Sequence, residues 1–213
     1  MIEFLIGSSL AASAGLNAWM PLFLLGLADR FLPAVTLPAG WSWISSDIAL
    51  WILGVLLLLE VIADKFPALD SINDIMQSVL RPAAGGIVFG AGSSAQTVAV
   101  SDPATFFSDN TWVPVVTGIV IALVVHVVKA STRVAANTVT GGLAAPALST
   151  AEDGASFLLA ALAIIIPVLA GLLLITLIIC VVFFWRRRRR HARDHKLSRN
   201  SPVNGPDATA PPQ

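Results

Sequence analysis

Long stretches without charge recur along this chain and limit its fold more than any other feature. Runs of about 18 or more nearly uncharged residues are each long enough to cross a hydrocarbon core of about 30 Å. Hydrophobic residues make up 56% of the 213 positions and charged residues only 12%. The pattern predicts an all-α, polytopic membrane helical bundle of about five spans, with Gly/Pro-interrupted segments and one interfacial amphipathic helix.

The charge is divided unevenly between a membrane domain, predicted over residues 1–185, and a tail over residues 186–213. The tail holds 8 Lys/Arg against 2 Asp/Glu, so a net charge of zero conceals an acidic body. Its first residues, Arg186–Arg190, directly follow an apolar stretch, which predicts a cytoplasmic C-terminus and contact with anionic lipid but not with nucleic acid. The rest of the tail is polar and Pro-rich and is predicted to be disordered.

The first apolar stretch, about residues 3–29, is rich in small residues and contains Asn17 and Pro21. Glu3 stands where a signal peptide carries a basic residue, so we predict a retained span. The sequence Gly-Leu-Asn-Ala-Trp-Met-Pro is compatible with two structures. One is a closely packed helix kinked at the proline. The other is a helix that breaks inside the membrane and leaves free backbone groups near Asn17.

Acidic residues gather where the second apolar stretch, about residues 48–63, comes to an end. Glu60 and Asp64 are four residues apart and therefore share one helix face, which we place at the membrane edge.

The next segment, residues 70–81, has the periodicity of an amphipathic helix, whose apolar face we expect to be buried at the interface. Pro82 and the pair Gly85-Gly86 are predicted to end it. Part of its charge is ordinary helix-end chemistry. Its polar side is formed by Asp70, Asn73, Asp74, Gln77 and Arg81.

Basic residues form a stripe on a later span that begins near Trp112 and runs to about residue 135. At about 100° per residue, the members of this stripe and the asparagine that follows fall within an arc of about 80°. They are His126, Lys129, Arg133 and Asn137.

The last span, about residues 154–185, follows an interruption at Gly141-Gly142. The sequence Ser149-Thr150-Ala151-Glu152 is a capping-box pattern, which explains Glu152 without a functional role. As a straight helix this span would measure about 48 Å, so it must tilt, protrude or kink at Pro167.

The weakly apolar segment 83–100 decides which charged groups can meet. If it crosses, there are five crossings, the N-terminus is external, and the acidic and basic stripes lie on the same side. If it is re-entrant, there are four crossings and the stripes lie on opposite sides. We favour five, because buried charges need partners, and predict that an acid of residues 60–64 pairs with Lys129 or Arg133. Such pairs are also compatible with a purely structural network.

Four sequence segments resemble a bacterial integral membrane family, domain of unknown function 4126. They are Ser-Ala-Gly-Leu-Asn-Ala-Trp-Met-Pro-Leu (13–22), the Glu-x-x-x-Asp-Lys-x-Pro-x-x-Asp motif within 60–74, and residues 126–133 and 140–153. The resemblance covers about residues 5–180. It implies a shared membrane fold and a multi-pass protein of the inner membrane, and it brings no activity with it.

Three functions are compatible with these residues. The first is a small-solute or ion transporter, in which acidic groups bind a cation or proton and the basic stripe supplies countercharges or binds an anion. The second is a lipid-phosphate carrier or enzyme that holds phosphate with Arg81 and the basic stripe and transfers a proton with His126. The third is a membrane scaffold that organises partners through its basic tail.

The sequence contains no recognised nucleophile motif, phosphate-binding loop or metal-ligand pair, so we assign no catalytic or metal-binding residue and no cofactor. The expected partners are membrane lipids, and a homo-oligomer is left open. The candidate residues for substrate or ion binding are Asn17, Glu60, Asp64, Asp70, Asp74, Arg81, His126, Lys129, Arg133 and Asn137.

Overall fold

The computed structural model describes residues 1–65, 67–97, 99–100, 112–179 and 182–183, with the backbone alone over 67–75. Every regular element in these ranges is a helix, apart from isolated β-bridges. The predicted all-α fold is therefore confirmed for this part of the chain. The helices are α1 (Ile2–Leu16), α2 (Met20–Phe31), a short 3₁₀ turn (Ser42–Ser45), α3 (Asp47–Ala63), α4 (Pro67–Ser93), α5 (Trp112–Thr140), α6 (Ala145–Ile165) and α7 (Pro167–Ile179).

Two of these helices, α5 and α6, are long and apolar enough to cross a membrane, judged by length and composition. The helices α1 and α7 are apolar but shorter. Large apolar side chains such as Trp51 on α3 and Val124 on α5 are exposed, as expected for surfaces that face lipid. These features indicate membrane association, whereas the predicted number of five spans is not confirmed.

The helices α1 and α2 form a hairpin, so the single span predicted for this stretch is wrong. Gly7 of α1 packs against Phe89, near the C-terminal end of α4. Thr36, which follows α2, forms an antiparallel bridge with Gln96, which follows α4. Both ends of the stretch therefore lie at the same end of the bundle. The turn at residues 17–19 lies at the far tip of the hairpin.

The turn between these helices is a break and not a kink. Asn17 has extended backbone angles (φ −143°, ψ 120°) after the last residue of α1. Its side-chain oxygen accepts from the amides of Trp19 at 3.2 Å and Met20 at 3.1 Å, much as an N-cap residue does. Pro21 lies in the first turn of α2, where its missing N–H breaks no helical hydrogen bond.

The helix α4 continues without interruption through Pro82, so the prediction that the amphipathic helix ends there is wrong. The two glycines that follow serve close packing against α5. A β-carbon at Gly85 would lie 2.8 Å from the carbonyl oxygen of Gly118. One at Gly86 would lie 3.0 Å from that of Val115. Segment 83–100 is thus mainly the C-terminal part of one long helix, neither a separate span nor a re-entrant loop.

The predicted orientation of the amphipathic face is also wrong. On α4, Gln77 and Arg81 are buried, whereas Met76 is 58% exposed and Val79 is 72% exposed. The polar side points into the protein because apolar side chains can face lipid at no cost, while a polar group there would lose its hydrogen-bond partners.

The helix α6 begins at Ala145 with Pro146 in its first turn, so the capping box predicted at residues 149–152 is wrong. Gly141 and Gly142 have positive φ angles of 62° and 88° and make the tight turn that precedes it. Ser149 therefore lies inside the helix, and Glu152 is free to take another role. Of the three arrangements left open for the last span, the structure has an interruption at Pro167, where α6 ends and α7 begins.

The chain divides into two compact units, Met1–Leu174 and Ile175–Gln213. In the second unit the structure describes residues 175–179 and 182–183, all of them helical. The predicted domain boundary at residue 185, the basic run Arg186–Arg190 and the tail lie outside the described residues.

Candidate functional site

Six ionisable side chains, five of them buried and one (Glu152) partly buried, meet beside the tip of the hairpin and are called the charge network below. Arg81 is 0% exposed and Arg133 only 1% exposed, values rarely reached by arginine unless it is paired. The members come from α4, α5, α6 and the C-terminal end of α3. They are Glu60, Asp64, Arg81, Lys129, Arg133 and Glu152.

Asp64 holds the centre of the charge network. Its Oδ2 lies 3.2 Å from Nζ of Lys129, 3.2 Å from Nη2 of Arg133 and 3.7 Å from Nη2 of Arg81. This is the pairing predicted between an acid of residues 60–64 and the basic stripe. Glu60 is 3.0 Å from Nη2 of Arg81.

Glu152 completes the charge network from α6. Its Oε2 accepts from Nη2 of Arg133 at 2.7 Å and lies 3.1 Å from Nζ of Lys129. The network thus contains three cations and three carboxylates among the described side chains. Such a balance is what burial of so many charges requires.

The broken hairpin binds directly to the charge network. The amide of Ala18 donates to both carboxylate oxygens of Glu60, at 3.1 and 3.3 Å. Nζ of Lys129 donates to the carbonyl of Leu16 at 2.7 Å. The signs suit the helix dipoles, because an anion lies at the start of α2 and a cation at the end of α1. Two of the groups released by the break, the Ala18 amide and the Leu16 carbonyl, are therefore satisfied by side chains of the network.

Asn17 and Asp153 form a second polar layer at the rim. Nδ2 of Asn17 donates to Oδ1 of Asp153 at 3.0 Å. Lys65, whose side chain is 40% exposed, lies 3.8 Å from Oδ2 of Asp153. This rim joins the hairpin tip, α6 and the chain after α3.

His126 contacts the charge network through Arg81. Its Nδ1 lies 3.1 Å from Nη1 of Arg81 and its Nε2 lies 3.2 Å from the Ser78 hydroxyl. A guanidinium only donates, so we assign Nδ1 as the acceptor and place the proton on Nε2. In this neutral state the ring fixes Arg81 in place.

The members of the charge network on α4 and α5, and the neighbouring His126, lie well inside these helices. Arg81 follows the start of α4 by 14 residues and precedes its end by 12. His126 is 14 residues from either end of α5, and Arg133 is two turns from its end. Glu60 and Asp64, which the sequence analysis places at a membrane edge, lie in the last turn of α3 and at its C-cap, so that placement stays a prediction.

Several buried polar atoms around the charge network have no hydrogen-bond partner in the described part of the chain. Leaving such an atom unsatisfied costs about 1–3 kcal/mol. Gln77 precedes Arg81 by one helical turn, and Asn137 follows Arg133 by one turn. The atoms concerned are Oε1 of Gln77, Nε of Arg81, Oδ1 of Asn137, Oγ of Ser149 and Oδ2 of Asp153.

The structure brings most of the predicted site residues together. Those in or touching the charge network are Glu60, Asp64, Arg81, His126, Lys129 and Arg133, and Asn17 lies in the rim, bound to Asp153. Asn137 lies one turn beyond it. The side chains of Asp70 and Asp74 lie outside the described residues.

Sequence reasoning missed Glu152 and Asp153, because the capping-box pattern gave Glu152 a local explanation. The signal that could have revealed them is a pair of adjacent acids within an otherwise apolar helix.

A family model described as "Domain of unknown function (DUF4126)" matches residues 4–187. No curated protein and no solved structure matches the chain. The matched region includes every residue of the charge network and the hairpin from residue 4 onward.

Proposed function

The chain belongs to the DUF4126 family, and because that description names no activity, we propose a function from the site itself. The protein is a small membrane transporter for an ionic solute, and the charge network is its binding site. The observation that carries this proposal is the helix break at residues 17–19, whose freed backbone groups bind Glu60 and Lys129. Broken helices that present such groups deep in the membrane are typical of transporter sites.

The position of the charge network supports the same function. Ionisable groups inside membrane helices are expensive and usually line a substrate or ion pathway. Gln77, Asn137 and Ser149, each one helical turn from a member of the network, carry polar atoms that have no hydrogen-bond partner among the described residues. These groups supply hydrogen bonds for a polar solute or its hydration shell.

The hairpin tip acts as the movable element in this proposal. Two hydrogen bonds, Ala18 to Glu60 and Lys129 to Leu16, attach it to the charge network. A solute that binds a network ion competes with the partner already present, so binding is an exchange of ion pairs. Because the solute must displace an internal partner, the affinity of the site for the solute stays moderate. The solute can therefore be released on the opposite side of the membrane.

We propose that α3, α4, α5 and the α6–α7 pair cross the inner membrane of a bacterium, while the hairpin enters and leaves on one side. Both termini then share a side, which is cytoplasmic because Arg186–Arg190 is retained there and contacts anionic lipid. The hairpin thereby replaces the external N-terminus expected from five crossings.

Reporter fusions test this topology. Reporters attached before residue 1 and after residue 213 should both be cytoplasmic, and one inserted after Gly142, in the α5–α6 turn, should be external. The Gly142 insertion is the matched control, because it reports the opposite side of the membrane. The site has room for an insertion, since a β-carbon at Gly142 would meet nothing within 4 Å. An external reporter at residue 1 would show that the hairpin crosses the membrane and would reject the proposed topology.

Flux through proteoliposomes tests the transport function. Vesicles with and without the protein should be compared for uptake of labelled Na⁺, phosphate and succinate, with an internal pH dye reporting protons. We expect at least one of these ions to move through the protein. Glu60→Gln should lower that rate by about tenfold or more, because a charge-assisted hydrogen bond of about 1.5–3 kcal/mol is lost at the site.

The matched control is Arg30→Gln, which removes an ion pair with Asp47 outside the charge network and should leave the rate unchanged. Rates no higher than in protein-free vesicles for every ion would reject the transporter.

A second candidate function is a lipid-phosphate carrier, because three cations lie together in the charge network and could hold a phosphate group. His126 contacts Arg81 and Ser78 through its two ring nitrogens, so the acid–base role considered for it has little support. The scaffold hypothesis depends on the tail beyond residue 185.

A further inference from the structure

Resting on the proposed function, we propose that the charge network takes up a small oxyanion, a carboxylate or a phosphate, together with one proton. Glu152 is the internal carboxylate that the substrate displaces from Lys129 and Arg133. Glu152 then carries the proton.

Glu152 is the most accessible carboxylate of the charge network. Its side chain is 14% exposed, whereas those of Glu60 and Asp64 are each 1% exposed. It also has no backbone partner among the described residues, and its contacts are to side chains alone. Glu60 has a further bond from the Ala18 amide, while Glu152 contacts only Lys129 and Arg133 among the described residues.

The contact between Arg133 and Glu152 already shows how an oxyanion would bind. Oε2 of Glu152 accepts from Nη2 at 2.7 Å and from Nε at 3.0 Å, and Lys129 approaches the same oxygen at 3.1 Å. A guanidinium edge plus an ammonium group suits any carboxylate or phosphate oxygen. The Glu152 carboxylate therefore occupies the position that we assign to the substrate.

Charge balance supplies the proton. Adding an anion to three cations and three carboxylates would leave a net negative charge in a buried site, which is costly. One proton on the displaced Glu152 removes that charge. An O–H bond forms on its carboxylate with a proton from water, and no bond in the substrate breaks.

The groups around Glu152 favour this protonation once its cations are taken. Asp153 is its neighbour on α6, and Asp64 shares both of its cations from α3. Asn17 of the hairpin donates a hydrogen bond to Asp153. The ammonium group of Lys65 lies 3.8 Å from the Asp153 carboxylate. The surroundings are thus more acidic than basic after displacement.

Equilibrium binding to the purified full-length protein in nanodiscs tests the inference. The probes are inorganic phosphate and succinate, with proton uptake followed by an indicator dye in weak buffer. Wild type should take up about one proton for each anion bound, because the single carboxylate of Glu152 holds one proton. Glu152→Gln should bind these anions about tenfold to a hundredfold more tightly, because the competing carboxylate is gone, and without proton uptake.

Glu3→Gln is the matched control, because Glu3 is also 14% exposed but pairs with the N-terminal amino group. It should behave as wild type. Unchanged affinity in Glu152→Gln, or binding to wild type without proton uptake, would overturn the inference. Should Glu152→Gln fail to fold, Glu152→Asp replaces it. Its shorter side chain should hold the cations less well, giving tighter anion binding with proton uptake retained; unchanged affinity would again overturn the inference.

Two further outcomes separate the claims. Anion binding without flux would reject transport and leave the oxyanion site standing, whereas flux of Na⁺ without anion binding would reject the oxyanion site alone. Nanodiscs with and without phosphatidic acid distinguish a lipid headgroup as the source. If only phosphatidic acid engages Lys129 and Arg133, the soluble oxyanion is rejected.

Discussion

Arg81→Gln is expected to lower the free energy of unfolding by about 3–5 kcal/mol, the usual cost of removing one partner from a buried ion pair. Arg81 is fully buried and faces Glu60 at 3.0 Å and Asp64 at 3.7 Å. Glutamine keeps much of the side-chain length but leaves both carboxylates with less positive charge, and it also removes the donor to His126. Thermal unfolding of the purified protein in detergent measures the effect.

A surface ion pair provides the control. Arg30 pairs with Asp47, and both side chains are substantially exposed. Arg30→Gln should change stability by about 1 kcal/mol or less, since water and salt screen such pairs. If both variants melted at the wild-type temperature, Arg81 would not belong to a buried network.

Asp64→Asn and Arg133→Gln should each cost about 3–5 kcal/mol, and their combination should cost less than the sum. Asp64→Asn leaves three cations and two carboxylates in the network. Arg133→Gln leaves two cations and three carboxylates. The double variant restores balance, because Arg81 still faces Glu60 and Lys129 still faces Glu152. Thermal unfolding of the wild type, the two single variants and the double variant gives the coupling free energy between the two residues.

Coupling should be visible because Nη2 of Arg133 lies 3.2 Å from Oδ2 of Asp64. Strict additivity of the two changes would place them in separate environments and contradict the geometry described above.

Helix periodicity was sufficient to predict that acidic residues after α3 meet the basic stripe of α5. Residues three, four or seven apart share a helix face whatever surrounds it, so Lys129 and Arg133 had to act together. The same rule cannot say which medium that face meets. On α4 it correctly grouped Gln77 with Arg81 but turned the polar side outward, since the lipid-facing exposure of Val79 depends on the whole bundle.

The hairpin was beyond local prediction for a related reason. The sequence around Asn17 is compatible with either a kink or a break, and tertiary contacts decide between them. The break is stabilised where Glu60 accepts the Ala18 amide and Lys129 donates to Leu16, from positions far along the chain. Glu152 was missed likewise, since its partners, Lys129 and Arg133, lie on another helix.

Ion flux through the Asp64→Asn/Arg133→Gln double variant tests most directly whether the charge network is a transport site. The variant should regain part of the stability lost in the single variants, because its charges balance. Its flux in proteoliposomes should nevertheless remain at least about tenfold below wild type, because the anchoring cation and the central carboxylate are absent. Flux at the wild-type rate in this stable variant would contradict the account and identify the network as a structural bridge between helices.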